Sequence, residues 1–154
     1  MGNLYIMIGV PGSGKDWYIG THQQDGDIVC SSDGIREELG DVNDQTKNKL
    51  VFQMLYERVE KALSEGKNVW FNATNVTVDN RSRAISLGKK YNAKIIGVVM
   101  ATPTERCISN EDLRDRKVGR EVIQKFARRF ENPSIEEGFS EIKIIVNGVE
   151  VEAD

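Results

Sequence analysis

The chain has 154 residues, of which 39% are apolar and 29% charged, and its net charge is −3. That is the balance of one ordinary globular domain with a real core, read as a single unit over residues 1–154. It excludes a membrane-spanning helix, since no window approaches the roughly 18 consecutive apolar residues required, and it excludes a surface that attracts polyanions as a whole.

Leu4–Val10 (LYIMIGV) is a nearly continuous apolar run that ends in glycines, the pattern of a buried parallel strand. A helix is expected from about Lys15 to Gln23, and a second strand over Asp27–Ser31. Asp33 then precedes a helical stretch, GIREELG, stopped by Gly40. Asp44–Glu65 places Leu50, Phe52, Met54, Leu55, Val59, Ala62 and Leu63 mostly at helical spacing, with Gly66 as the stop. Asn68–Phe71 reads as a third strand, Val78–Tyr91 as a helix and Ala93–Ala101 as a fourth strand. Helices over Thr104–Leu113 and Arg120–Glu131 flank a basic segment, and Ile142–Val146 is the last predicted strand. The short acidic tail after Asn147 is read as a frayed end.

Strands alternating with helices predict an α/β fold, a parallel sheet sandwiched between α-helices. Ligands of such sheets bind beyond the carboxyl ends of the strands, where the glycine loop, Asp33 and the segment Asn72–Asn75 fall. The N-terminus lacks the basic region of a signal peptide, so a cytoplasmic location is expected. Cys30 and Cys107 have neither metal nor redox spacing and read as buried free thiols. Leu113–Phe130 holds seven Lys/Arg against two acids, compatible with phosphate or nucleic-acid contact or with a solvated helix face.

The stretch IGVPGSGKDWY fits the phosphate-loop pattern through Gly9, Gly14 and Lys15, with a strand before it and a helix after it. Backbone amides freed by glycine and the positive end of a helix suit a phosphate. Gly9, Pro11, Gly12, Ser13, Gly14, Lys15, Asp16 and Trp17 are therefore the expected nucleotide-binding segment, with Lys15 reaching the β- and γ-phosphates of ATP or GTP. A Ser or Thr that supports magnesium normally follows the lysine, but Asp16 stands there. The third strand ends in Asn72, where such enzymes often carry a metal-supporting acid. One reading is that the acidic support of Mg2+ has moved from the third strand to Asp16. The other is that Asp16 only complements the helix dipole in a weakened enzyme.

Asp33 can take the proton of an attacking hydroxyl, or cap the following helix, or both. Arg36 lies one turn on and can point at the same acceptor, or remain a solvated charge. Thr74 and Asn75 are either ligands or caps of the next helix. His22 reads as a surface residue, and Trp17, Tyr18 and Trp70 read as packing rather than base-stacking platforms.

GVPGSGK, CSSDGIREEL, NATN followed by NRSRAI, and RDRKVGREVI together resemble the 5′-hydroxyl polynucleotide kinases, phage and bacterial, over about residues 3–130. The resemblance implies a P-loop NTPase fold with a helical lid and magnesium-dependent transfer of the ATP γ-phosphate to a 5′-hydroxyl end of DNA or RNA. It implies Lys15 as the loop lysine, Asp33 as general base, Arg36 as the grip on the acceptor's 3′-phosphate, and Thr74–Asn75 as the pair after the third strand. The lid arginine becomes Arg114 or Arg116, because Leu113 falls at the nearest gapless position. Asp16, Asn72 and Gly119 depart from the family pattern. Two rival readings remain: a P-loop kinase of a small molecule, and a catalytically weak nucleotide-binding module.

Overall fold

The computed structural model describes residues 2–40, 47–113 and 118–151. In chain order the elements are β1 (Asn3–Ile8), α1 (Lys15–His22), β2 (Ile28–Ser31), α2 (Ser32–Glu38), α3 (Asn48–Ser64), β3 (Val69–Asn72), α4 (Val78–Lys90), β4 (Lys94–Met100), α5 (Thr104–Asp112), α6 (Arg120–Arg129), β5 (Glu141–Val146) and β6 (Val149–Val151). The strands form one sheet in the order β2-β3-β1-β4-β5-β6. The pairs from β2 through β5 are parallel, and β6 returns antiparallel to β5. Parallel pairing brings the carboxyl ends of β1, β2 and β3 to the same edge, with β1 between β3 and β4.

Burial on both faces explains the continuous apolar runs in β1, β3 and β4. On one face, α3 sets Val51, Leu55, Val59, Ala62 and Leu63 against the sheet, and α4 adds Ala84 and Ile85. On the other face, Tyr18 and Ile19 of α1 pack on Met7, Trp70, Ile96 and Val98. A third cluster, Val10, Val76, Cys107, Ile108 and Ile123, joins α5 and α6 at the carboxyl edge. Both cysteines are free and buried.

The tail after Asn147 is a correction to the sequence reading. Asn147 (φ 50) and Gly148 (φ 80) both adopt positive φ and turn β5 into β6. An Asn-Gly pair between apolar runs is a strong hairpin signal, and it was present in the sequence. The start of the long helix at Asp44 falls outside the described residues, where α3 begins at Asn48.

Arg81 fixes the segment after β3. It is fully buried, and its Nε and Nη2 donate to the two carboxylate oxygens of Glu137 at 2.9 and 3.1 Å. Its Nη1 donates to the carbonyls of Asn75 and Glu131 at 2.9 and 3.1 Å. Breaking such a pair strands a buried carboxylate, at a cost of about 3–5 kcal/mol.

Candidate active site

The loop between β1 and α1 is held from behind. Gly12 has φ 82, and a Cβ there would sit 2.3 Å from the Cys107 carbonyl oxygen, so only glycine allows this approach to α5. Thr102 Oγ1 donates to Ser13 O at 2.7 Å and Asn110 Nδ2 to Gly12 O at 2.9 Å. Gly14 is the left-handed N-cap of α1, and no side chain caps that helix. Its positive end is left for an anion. Ser13 Oγ is buried inside the loop with no hydrogen-bond partner among the described residues. Sequence reading missed Thr102 and Asn110, because they lie after β4 and carry no motif of their own.

Lys15 Nζ folds back onto its own loop, donating to Gly9 O at 2.8 Å and Val10 O at 2.9 Å. Desolvation pushes its pKa down to about 8, against the opposing pull of Asp16, Asp33, Cys107 and Glu111. The free protein therefore holds a charged Lys15 below about pH 8. Above that pH a proton must be taken up before the ammonium can meet a phosphate. Nucleotide affinity is expected to be flat up to about pH 8 and to fall by as much as tenfold per pH unit above it. Calorimetry in buffers of different ionisation enthalpy would read both the affinity and the proton uptake. A flat affinity from pH 7 to 9.5 would contradict this. Lys15 affects folding stability with the opposite sign: its charged form is penalised by folding, and that penalty lifts as pH rises from about 8 toward 10.5.

Asp16 and Asn72 meet across the site. Asn72 Nδ2 donates to Asp16 Oδ1 at 2.6 Å, over 56 residues of sequence. Asn72 is buried and Asp16 exposed at the start of α1. Among the described residues no group of three or more His, Cys, Asp or Glu could hold a metal ion. Asp16 is one carboxylate at the phosphate loop, and magnesium is usually bound by one or two carboxylates together with substrate phosphates and water.

Asp33 stands in the first turn of α2, half exposed, 3.2 Å from Arg36 Nη1. It does not cap the helix. The N-cap is Ser31, whose hydroxyl accepts from Gly34 N at 3.1 Å. Arg36 is not a solvated charge either: its side chain is 11% exposed, and Nη2 donates to Asn48 Oδ1 at 2.7 Å. Thr77, not Thr74 or Asn75, caps α4 by accepting from Asn80 N. Thr74 is part-buried, and its carbonyl accepts from Gly9 N at 2.9 Å. Asn75 is buried with φ 50, and its amide is spent on Met7 O at 2.8 Å and Ala73 O at 3.3 Å. Arg114 and Arg116 lie outside the described residues.

A family model described as "AAA domain" matches residues 4–133. The chain belongs to that family. Its fold is the P-loop NTPase-like kinase fold, a mostly parallel sheet flanked by helices. A chain of the Pnkp1/Rnl/Hen1 RNA repair complex is similar at a TM-score of 0.73 and 20% identity, over 83% of this chain and 43% of that one. Kti12 of Chaetomium thermophilum, solved with ADP-AlF3, is similar at a TM-score of 0.72 and 16% identity, over 94% and 89%. Transcription factor bHLH140 of Arabidopsis thaliana is 27% identical over 97% of this chain, which spans only 16% of that protein.

Beside its phosphate loop this AAA domain has a cavity of about 330 Å³, bordered by Gly14, Trp17, Met100, Arg106, Asn110 and Asn147. The reading of Trp17 as packing is corrected here. The residue is 51% exposed, and only the tip of its ring meets the turn after β5, with Cη2 3.0 Å from a Cβ built on Gly148. Tyr18 and Trp70 are buried as expected, and His22 is exposed with its ring stacked on Tyr18 at 3.9 Å. No helix among the described residues is long and apolar enough to cross a membrane.

Proposed function

We propose that the protein is a polynucleotide 5′-hydroxyl kinase, transferring the γ-phosphate of ATP or GTP to the 5′ end of DNA or RNA. The observation that carries this reading is the Asp33–Arg36 pair. An exposed carboxylate and a positioned guanidinium lie 3.2 Å apart on one helix turn, beyond the carboxyl end of β2. Asp33 is also close enough to Lys15 to act on its charge.

In this reading Lys15 leaves the carbonyls of Gly9 and Val10 for the β- and γ-phosphates. Ser13 Oγ gains in a phosphate oxygen the partner it lacks. The cavity beside Trp17, Arg106 and Asn147 takes the nucleoside. Asp33 accepts the proton of the attacking 5′-hydroxyl, and Arg36 holds the acceptor's phosphate by charge-assisted hydrogen bonds. Asp16, oriented by Asn72, would hold magnesium, which when bound neutralises charge on the phosphates. Arg114 or Arg116 would close on the transferring group.

A second reading, a weak nucleotide-binding module, draws on the same Asn72–Asp16 bond, because that bond occupies one carboxylate oxygen. Labelled γ-phosphate ATP with magnesium separates the two. Acceptors are 5′-hydroxyl oligonucleotides, nucleoside 3′-monophosphates and free nucleosides. Transfer to the first two supports the kinase. Transfer to free nucleosides alone favours a small-molecule kinase. Nucleotide binding without transfer to any acceptor favours the module.

A further inference from the structure

The acceptor pair opens onto a second feature that the phosphate loop does not explain. Arg36 turns from Asp33 toward α3, where Nη2 meets Asn48 and Cζ lies 5.9 Å from the centre of the Phe52 ring. Its Nε is buried with no hydrogen-bond partner among the described residues. Asn48 and Phe52 are also the near wall of a groove of about 610 Å³ between α3 and α4. Lys49, Gln53 and Glu57 of α3 and Arg83 of α4 complete it. Arg36 thus contacts two of the residues that line the groove.

The groove's chemistry is that of a single-stranded nucleic-acid track. Phe52 is partly exposed, and an aromatic face stacks any base, which is worth about 1–3 kcal/mol per base. Lys49 and Arg83 are exposed cations. Arg83 sits over the Tyr56 ring, with Cζ 4.5 Å from the ring centre, so a cation–π contact holds its guanidinium. Glu57 is the one acid among the described residues lining the groove, and its Oε1 accepts from Gln53 Nε2 at 3.3 Å. Along α3 it lies roughly 14 Å from Asn48, at about 1.5 Å per residue.

We infer that this groove binds the second nucleotide of a single-stranded acceptor, its base on Phe52 and its phosphate on Lys49 and Arg83. The inference rests on reading Asp33 and Arg36 as the acceptor site. It makes an oligonucleotide, rather than a mononucleotide, the preferred substrate. Recognition is independent of base sequence, because stacking and phosphate contacts carry no base code.

The test compares KM for a nucleoside 3′-monophosphate with KM for a 5′-hydroxyl tetranucleotide ending in the same nucleotide. The ratio in the wild type is expected to be about tenfold or more in favour of the tetranucleotide. Lys49→Gln with Arg83→Gln should bring that ratio near one, and Glu57→Gln should raise it. The log–log salt slope for tetranucleotide binding, read by fluorescence anisotropy, should lose about 0.7 for each phosphate contact removed. A wild-type ratio near one, or a ratio untouched by the double substitution, overturns the groove and leaves the kinase reading standing. If no 5′-hydroxyl nucleotide is phosphorylated, the kinase reading falls. Anisotropy then judges the groove by itself, and tetranucleotide binding unchanged in the double variant overturns it.

Discussion

Asp33→Asn is expected to lower phosphoryl transfer by about 10²- to 10⁴-fold while nucleotide affinity stays near that of the wild type. Loss of a positioned general base has that magnitude. The phosphate loop is held by Thr102, Asn110 and Thr74, none of which touches Asp33. Asn keeps an oxygen for Arg36 Nη1, so the 3.2 Å contact can persist and acceptor binding is retained. Ser31 caps α2, so the helix end does not depend on Asp33. The effect should therefore lie in kcat, with KM little changed. Arg36→Ala should do the reverse, raising KM for acceptors that bear a 3′-phosphate. Single-turnover transfer and calorimetric titration of the nucleotide together check this. An Asp33→Asn variant with wild-type turnover would reduce Asp33 to an anchor for Arg36.

Asp16→Ala should lower magnesium affinity and turnover together. A metal that neutralises transferring phosphates is worth several kcal/mol, so on the order of 10²-fold or more in rate is at stake. The 2.6 Å bond makes Asn72 the orienting partner, so the two positions should be coupled. Asp16→Ser alone removes the carboxylate and leaves Asn72 without its acceptor. Asp16→Ser with Asn72→Asp places a hydroxyl on the loop and a carboxylate on β3, and should recover activity that Asp16→Ser loses. Magnesium titration of the rate in the wild type, Asp16→Ser, Asn72→Asp and the double variant measures the coupling. If the wild type turns over nothing, and Asp16→Ser alone tightens nucleotide binding, the charge at Asp16 is only repulsive and the binding-module reading prevails.

Most of the architecture was legible along the chain because its signals are local. Apolar runs marked β1, where glycines follow, and β4. Helical spacing with a glycine stop marked α3. The loop from Gly9 to Lys15 needed only its flanking strand and helix to be recognised. The hairpin at Asn147-Gly148 was legible too, but acidic composition outweighed the turn signal, and β6 was read as a frayed end. Asp33 was expected just before a helix and lies inside the first turn of α2; its alternative role as a cap was not excluded, because Ser31 and Asp33 are both good caps and propensity cannot rank two candidates so close in sequence.

The sequence by itself determined the order of strands and helices, the phosphate loop and the position of Lys15, because each depends on residues within a few turns of one another. Tertiary structure alone decided which distant groups meet. Asn72 reaches Asp16 because β3 pairs beside β1 and both end at one edge. Asn75 spends its amide on Met7 because the segment after β3 crosses β1. The turn after β5 stands beside Trp17 because β5 joins the sheet next to β4. Arg36 turns toward Phe52 because α2 and α3 pack on the same face. These are contacts across sequence separations of 16 to 131 residues, set by strand pairing and helix packing, and no local pattern encodes them.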